Sequence, residues 1–316
     1  MSGNNTANSQ AIIRGEVWQV QLEEILHENL TALPFVRQID FPDGNQFTMP
    51  SIGTPLVRDL PEGSELTFDA LDTGEVSITM NAPVVAANSL SQILMEDALW
   101  AAEAVASIPV EQAQAIMERF ETDVLALALT QSGGANNANL INGVAHRKIA
   151  TGTNEVIAVK DFAFAGYSLQ KAKVPRKNLI AIVDPSVGFA LETATQLTNI
   201  SNNPRWEGII ETGITENFRF VRNVYGFDVF ESNMLPTMNE TIGGLTTTAG
   251  VANIFTSLAR PNIAPFVLAW RRKPILVAEW NNKKKQTEID TTARWGSGLT
   301  REENIVVIGS DTDQVG

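Results

Sequence analysis

Apolar and polar positions alternate most cleanly over residues 65–80, ELTFDALDTGEVSITM. Leu66, Phe68 and Ala70 alternate with Glu65, Thr67 and Asp69. After Leu71-Asp72-Thr73-Gly74, Val76, Ile78 and Met80 alternate with Glu75, Ser77 and Thr79. Period two on both sides of a Gly-containing turn predicts a β-hairpin with one apolar and one acidic face. Pro61-Glu62-Gly63 and Pro83 bracket it. A lone hairpin is marginal in water, so its apolar face must lie on something.

A helical period takes over beyond Pro83. Ser89 with Gln92 reads as a capping box, and Leu90, Ile93, Leu94, Ala98, Ala101, Ala102 and Val105 follow it. Ser107 and Pro109 punctuate. Val110, Ala113, Met117, Phe120, Val124 and Leu127 then recur every three or four residues. Glu111, Gln112, Gln114, Glu118, Arg119, Glu121, Thr122 and Asp123 lie between them. This predicts one helix of about twenty residues, roughly 30 Å long, with a single apolar seam. Two heptads are too few for a coiled coil. Ser132-Gly133-Gly134 ends it.

Upstream, residues 1–12 read as a tail and Glu16–Leu33 as a short amphipathic helix stopped by Pro34. Residues 35–60, rich in Pro and Gly, read as an extended arm. Downstream, residues 133–155 are a Gly/Asn/Thr loop, Asp161–Lys173 a helix and Leu179–Val183 a buried strand. After Asp184-Pro185 a helix starts near Ser186. Strands follow around Phe218–Val224 and Phe227–Phe230, with 237–253 as a loop. The last strands are Phe266–Trp270, Ile275–Trp280, Glu288–Arg294 and Ile305–Ile308. Within VYGFDVFESNMLP (224–236), Gly226 relieves a tight bend. Phe227, Val229 and Glu231 share one face, and Leu235-Pro236 stops the strand.

Composition narrows the function. Of 316 residues, 44% are hydrophobic and 19% charged, enough for a sizeable core. Zero cysteines exclude disulfides, iron–sulfur clusters and thiol catalysis. The start, MSGNNTANSQ, lacks the basic and apolar regions of a signal peptide, and no apolar run approaches the ~20 residues of a membrane span. The net charge of −13 is uneven: residues 1–146 hold four Arg, no Lys and 19 acidic residues, whereas 147–316 hold 19 basic and 17 acidic. An acidic half of one copy can meet the less acidic half of another. The balance does not suit a duplex-DNA reader.

Catalytic signatures are missing. The two histidines, His27 and His146, are too distant for a short-spaced zinc motif. There is no P-loop or nucleophile elbow, and Gly296-Ser297-Gly298-Leu299-Thr300-Arg301 breaks the dinucleotide pattern. The pairs Glu23-Glu24, Glu96-Asp97 and Glu302-Glu303 read as solvated faces. His146-Arg147-Lys148 reads as a surface loop, with anion binding the alternative. Lys283-Lys284-Lys285 reads as a hairpin tip. No cofactor or metal is implied.

An arm, an acidic hairpin, a long thin helix and a strand-rich C-terminal part follow in that order. With Gly226, Val229, Ser232, Leu235 and Pro236 at the spacing G-x-x-V-x-x-S-x-x-L-P, the chain resembles major capsid proteins of tailed bacteriophages, the Hong Kong 97-like fold. The resemblance implies an α+β fold: N-terminal arm 1–55, extended-loop hairpin 56–86, peripheral domain 87–132 with a spine helix over 110–131, axial domain 133–260 and returning strands 261–316. It implies a non-enzymatic subunit forming the hexamers and pentamers of an icosahedral head around double-stranded DNA, held without sequence-specific binding. It also implies a portal, a separate scaffolding protein because only a short segment precedes the first helix, possible decoration proteins, no membrane, and assembly in the host cytoplasm.

The hairpin would lie on an adjacent subunit. The nominated contacts are Arg58, Glu65, Phe68, Asp69, Asp72, Glu75 and Ile78 on the hairpin, and Arg271, Arg272, Lys283, Lys284, Lys285 and Arg294 elsewhere. Some members weld their shells through a lysine in this loop. Arg58 is the only basic residue between Arg37 and Arg119 here, so no such crosslink is expected. An encapsulin-type bacterial compartment would share the fold but hold protein cargo. A soluble α/β enzyme or carbohydrate-binding module is the reading from another class.

Overall fold

A computed structural model describes residues 32–52, 73–97, 101–193, 222–260 and 263–312, with scattered positions between 57 and 70. Nearly all of the helix expected over Glu16–Leu33, and the start of the strand expected at Phe218, lie outside these residues.

Chain order opens with β1 (Arg37–Asp40), β2 (Gln46–Ile52), β3 (Thr73–Thr79) and β4 (Val84–Ser91). Helices α1 (Gln92–Asp97) and α2 (Ala101–Ala126) follow. Strand β3 pairs antiparallel with β2, Gln46 opposite Thr79 and Ile52 opposite Thr73. This corrects the strand pairing expected for the hairpin. The partner of 73–79 is 46–52, not 65–70, so part of the presumed arm is a hairpin strand. Phe47 and Met49 stand opposite Ile78 and Val76, an apolar cross-strand set that outcompetes the shorter local turn.

The expected capping box is also corrected. Ser89 lies in β4, opposite Glu288, and helix α1 begins at Gln92, with Ser91 Oγ accepting the Leu94 N–H at 3.2 Å. Helix α2 runs unbroken through Ser107 and Pro109. A proline inside a helix costs about 3 kcal/mol, but sheet packing beyond it keeps the helix continuous. The helix then tightens into a 3-10 turn over Leu127–Thr130.

Beyond it come the short pair β5 (Leu140–Ile141) and β6 (Val144–Ala145), β7 (Arg147–Ile149), α3 (Val159–Lys171), β8 (Leu179–Val183) and α4 (Pro185–Thr193). Then come β9 (Arg222–Val224), β10 (Phe227–Glu231), the short pair β11 (Thr241–Ile242) and β12 (Leu245–Thr246), and β13 (Gly250–Ser257). The expected loops over 133–155 and 237–253 therefore contain paired strands. The chain closes with β14 (Phe266–Asn281), β15 (Gln286–Leu299) and β16 (Ile305–Asp311). Two expected strands, 266–270 and 275–280, are one, with register shifts between Trp270 and Ile275.

Two sheets organise the chain. The six-stranded sheet has the order β7-β16-β13-β8-β10-β9 and the four-stranded sheet β1-β14-β15-β4. In β8 all five residues are buried. Leu179, Ala181 and Val183 face a core with Phe162 and Leu169 of α3 and Val187 and Leu191 of α4. Ile180 and Ile182 face a second core shared with Phe120 and Val124 of α2 and with Trp295. Phe120 stacks on Trp270 at 5.5 Å and meets Trp295 edge-on at 5.6 Å. The long helix is thus the common wall between the two sheets.

Candidate assembly surfaces

The hairpin springs from between two edges. Strands β1 and β4 are the outer strands of the four-stranded sheet, and the chain leaves one as β2 and returns to the other from β3. Its root is fixed: Met80 donates its N–H to Asn45 O at 2.9 Å and Asn81 to Trp295 O at 3.0 Å. Arg294 Nε donates to Asn81 O at 2.9 Å and Nη2 to Asn45 Oδ1 at 3.2 Å. Ile78 and Met80 are buried at 2% and 5% exposure. Farther out the chain turns to solvent: Val57 is 91% and Phe68 92% exposed, and Asp59, Glu62, Glu65 and Glu75 are exposed around them.

At the far end of the four-stranded sheet, β14 and β15 join through Asn282–Lys285, so the three lysines do form a hairpin tip. Asn281 Oδ1 accepts the Lys283 and Lys284 N–H groups at 3.0 and 3.2 Å, shaping the turn. Helix α1 is tied beside it, Gln92 donating its N–H to Lys285 O at 2.9 Å. That six-residue helix buries none of its side chains, leaving Ile93, Leu94 and Met95 exposed, and Trp280 is half exposed. Glu288 accepts from Gln286 at 2.6 Å and Asn281 at 2.9 Å. These bonds, Gln286's first, hold its carboxyl below the usual range. The tip is therefore basic and apolar, and the outer hairpin acidic and apolar.

Charge inside the molecule follows a different rule. His146-Arg147-Lys148 is neither a surface loop nor an open anion site. His146 and Arg147 are buried, at 0% and 1% exposure. Arg147 meets Glu240 with two nitrogens, Nε at 3.0 Å, and gives Nη1 to Leu129 O at 3.1 Å. Lys148 Nζ lies 2.6 Å from Asp161, which also accepts the Thr151 hydroxyl at 2.8 Å and the Ala158 N–H at 2.9 Å. His146 Nδ1 donates to Ile305 O at 2.9 Å. Burial pushes its pKa below the ordinary value, outweighing that carbonyl. A basic triplet in a Gly/Asn loop gave no sign that its partners lay at Glu240 and Asp161.

Two polar residues of α2 that the helical pattern put on its solvent side are buried ties. Gln112 donates to Asn88 Oδ1 and Ile289 O, both at 2.9 Å, and accepts the Thr291 hydroxyl at 2.8 Å. Glu121 accepts the Ser232 hydroxyl at 2.8 Å. Ser232 thereby joins the 224–236 stretch to the long helix. Tyr225 and Gly226, both at positive φ, turn β9 into β10. Phe227 and Val229 are buried on one face.

The nominated contacts separate accordingly. Phe68, Glu65 and Glu75 are exposed on the hairpin and the three lysines lie at the tip. Arg58, Asp69 and Asp72 lie outside the described residues. Ile78 is engaged by its own chain. Arg294 holds the hairpin root, and Arg271 lies 3.8 Å from Asp43. Arg272 is exposed in β14. Among the described residues no group of three or more His, Asp or Glu side chains is placed to hold a metal, and no helix is long and apolar enough to cross a membrane.

A two-sheet α+β subunit with a wall helix and a projecting apolar hairpin is a shell-forming design. Comparison with known proteins agrees. A family model described as phage capsid protein matches residues 90–308. The chain therefore belongs to the phage capsid protein family, a structural subunit of the virion shell. Solved structures with the same fold include the capsid of cyanophage P-SCSP1u (TM-score 0.65, 16% identity, 87% of this chain and 86% of that one). The mature capsid of bacteriophage PhiM1 matches at TM-score 0.63 and 14% identity, over 89% and 86%. A virus-like particle from Pyrococcus furiosus matches at TM-score 0.54 and 11% identity, over 93% and 99%. At these identities the likeness establishes the Hong Kong 97-like fold. No curated protein matches in sequence.

Proposed function

We propose that this subunit assembles into hexamers and pentamers that tile an icosahedral phage head around double-stranded DNA, in the host cytoplasm and with a separate scaffolding protein and a portal. The observation that carries the reading is the hairpin. Val57 and Phe68 stand almost fully in water on one chain, and burying two such side chains contributes about 1.5–3 kcal/mol each. In a repeating shell every copy supplies its neighbour with that cover. The acidic hairpin, Glu65 and Glu75 with Asp69 and Asp72, and the basic tip at Lys283–Lys285 are complementary in sign, which fits the hairpin of one copy lying on the four-stranded sheet of the next. Arg58 and Arg272 belong to the same contact.

The net charge of −13 suits a lining that repels packaged DNA rather than gripping it. Tight, salt-sensitive binding of free subunits to duplex DNA would contradict this. A guanidinium cannot replace the lysine of a welded loop, so shells should dissolve to single chains on a denaturing gel. Covalent ladders would overturn that point. Negative-stain microscopy of the protein, alone and with a candidate scaffold, tests assembly. Cryo-images then separate a head with a tail vertex and DNA from a compartment filled with protein cargo.

A further inference from the structure

The hairpin's direction is set by its own chain at a notch in β15. Side chains alternate along a strand. Ile289, Thr291, Ala293 and Trp295 are buried along one face, where Gln112 and Phe120 of α2 meet Thr291, Ile289 O and Trp295. Arg294, Gly296 and Gly298 therefore point to the opposite face. There the hairpin root crosses the sheet. A methyl on Gly298 would stand 2.7 Å from Ile78 Cγ1, and one on Gly296 would stand 2.8 Å from Thr79 O and 3.2 Å from Met80 Sδ. Two missing side chains make room for two buried ones. Next to this notch, the Arg294 guanidinium reaches both legs at once, Asn45 before β2 and Asn81 after β3.

We infer that Arg294, Gly296 and Gly298 are positioning residues for assembly: the glycine notch seats Ile78 and Met80, and the Arg294 fork ties the two legs, so the hairpin leaves the sheet at one fixed angle. The legs need such a device. They start from opposite edges of the sheet, and each of the paired strands β2 and β3 is seven residues long, roughly 20 Å of lever. A small rotation at the root becomes a large displacement at Phe68. The broken dinucleotide pattern at Gly296-Ser297-Gly298 thereby has a use: the glycines are there for backbone approach to the hairpin, not to a phosphate. The inference rests on the hairpin being the part that reaches a neighbouring subunit.

The absence of native cysteine makes a clean test possible on unassembled subunits. Spin labels at Glu75→Cys, farther out along β3, and Gln114→Cys on α2, both exposed positions, report the distance between hairpin and helix. The parent should give one narrow distribution. Arg294→Ala should broaden it and shift its mean by several ångströms with an unchanged melting temperature. Arg294→Lys, which keeps the charge but not the fork, should fall between. Gly298→Ala should shift the mean by lifting Ile78. The same variants in assembly reactions should give shells of mixed diameter. If Gly298→Ala does not fold, the Arg294 pair still decides. Identical distributions in parent, Arg294→Ala and Arg294→Lys would overturn the inference. Because the distances are read before assembly, failure of the parent to form shells would count against the proposed function and not against the notch.

Discussion

The six-stranded and four-stranded sheets are finished to different degrees. The first is covered on both faces, by α3 and α4 on one and by the wall helix on the other, and the two cations of β7 are held in internal pairs, Arg147–Glu240 and Lys148–Asp161. The second is covered by α2 on one face, while on the other, among the described residues, the hairpin root fills the notch at Gly296 and Gly298. Its free end carries Trp280, Ile93, Leu94 and three lysines toward solvent. One sheet closes a subunit; the other is the surface proposed to meet a neighbour. The hydrophobic effect is non-directional, so what separates fold from assembly here is which apolar positions the chain can reach by itself.

Mutations should divide along the same line. The largest loss is expected from Arg147→Ala, which strands the Glu240 carboxylate in the interior at a cost of about 3–5 kcal/mol. Urea unfolding of the isolated subunit should show it, and a change near zero would mean that the pair does not anchor the six-stranded sheet. Ser232→Ala should cost about 1–3 kcal/mol by leaving Glu121 without its donor. The same substitution should loosen the helix from the sheet, read as faster amide exchange around Met234.

Acid should act through His146. Its folded pKa lies below the ordinary value, so the unfolded chain binds the proton more readily. Stability should be fully present above about pH 6.5 and fall as pH drops toward the folded pKa. His146→Gln should flatten that part of the pH profile; an unchanged slope would clear His146 of the effect. Phe68→Asp should move subunit stability by no more than about 0.5 kcal/mol yet stop assembly. If it unfolds the subunit instead, the hairpin belongs to the fold and the contrast between the sheets fails.

The sequence was legible where local pattern and tertiary environment agree. The strand Leu179–Val183, the helix after Asp184, the seam of α2 and the turn at Gly226 are all present as read. It was misleading where a longer-range partner won. Strand 73–79 pairs with Phe47 and Met49 rather than across the near Asp72-Thr73-Gly74 turn, a competition that no local alternation reveals. Gln112, Glu121 and Arg147 look like solvent residues because a partner far along the chain has no local signature. Arg294 looked like a free basic contact because Asn45 and Asn81 are remote in sequence from it. Of the proposed assembly surface, the acidic positions of the hairpin and the lysine tip stand out in the sequence; the notch at Gly296 and Gly298 does not, because Ile78 and Met80 are remote from it along the chain.

If this chain completes its apolar surface only among copies of itself, sedimentation and negative-stain imaging of the purified protein with its candidate scaffold, over a range of concentrations, should show closed icosahedral shells, abolished by Phe68→Asp. A monodisperse monomer or dimer at every concentration, with or without scaffold, would contradict it.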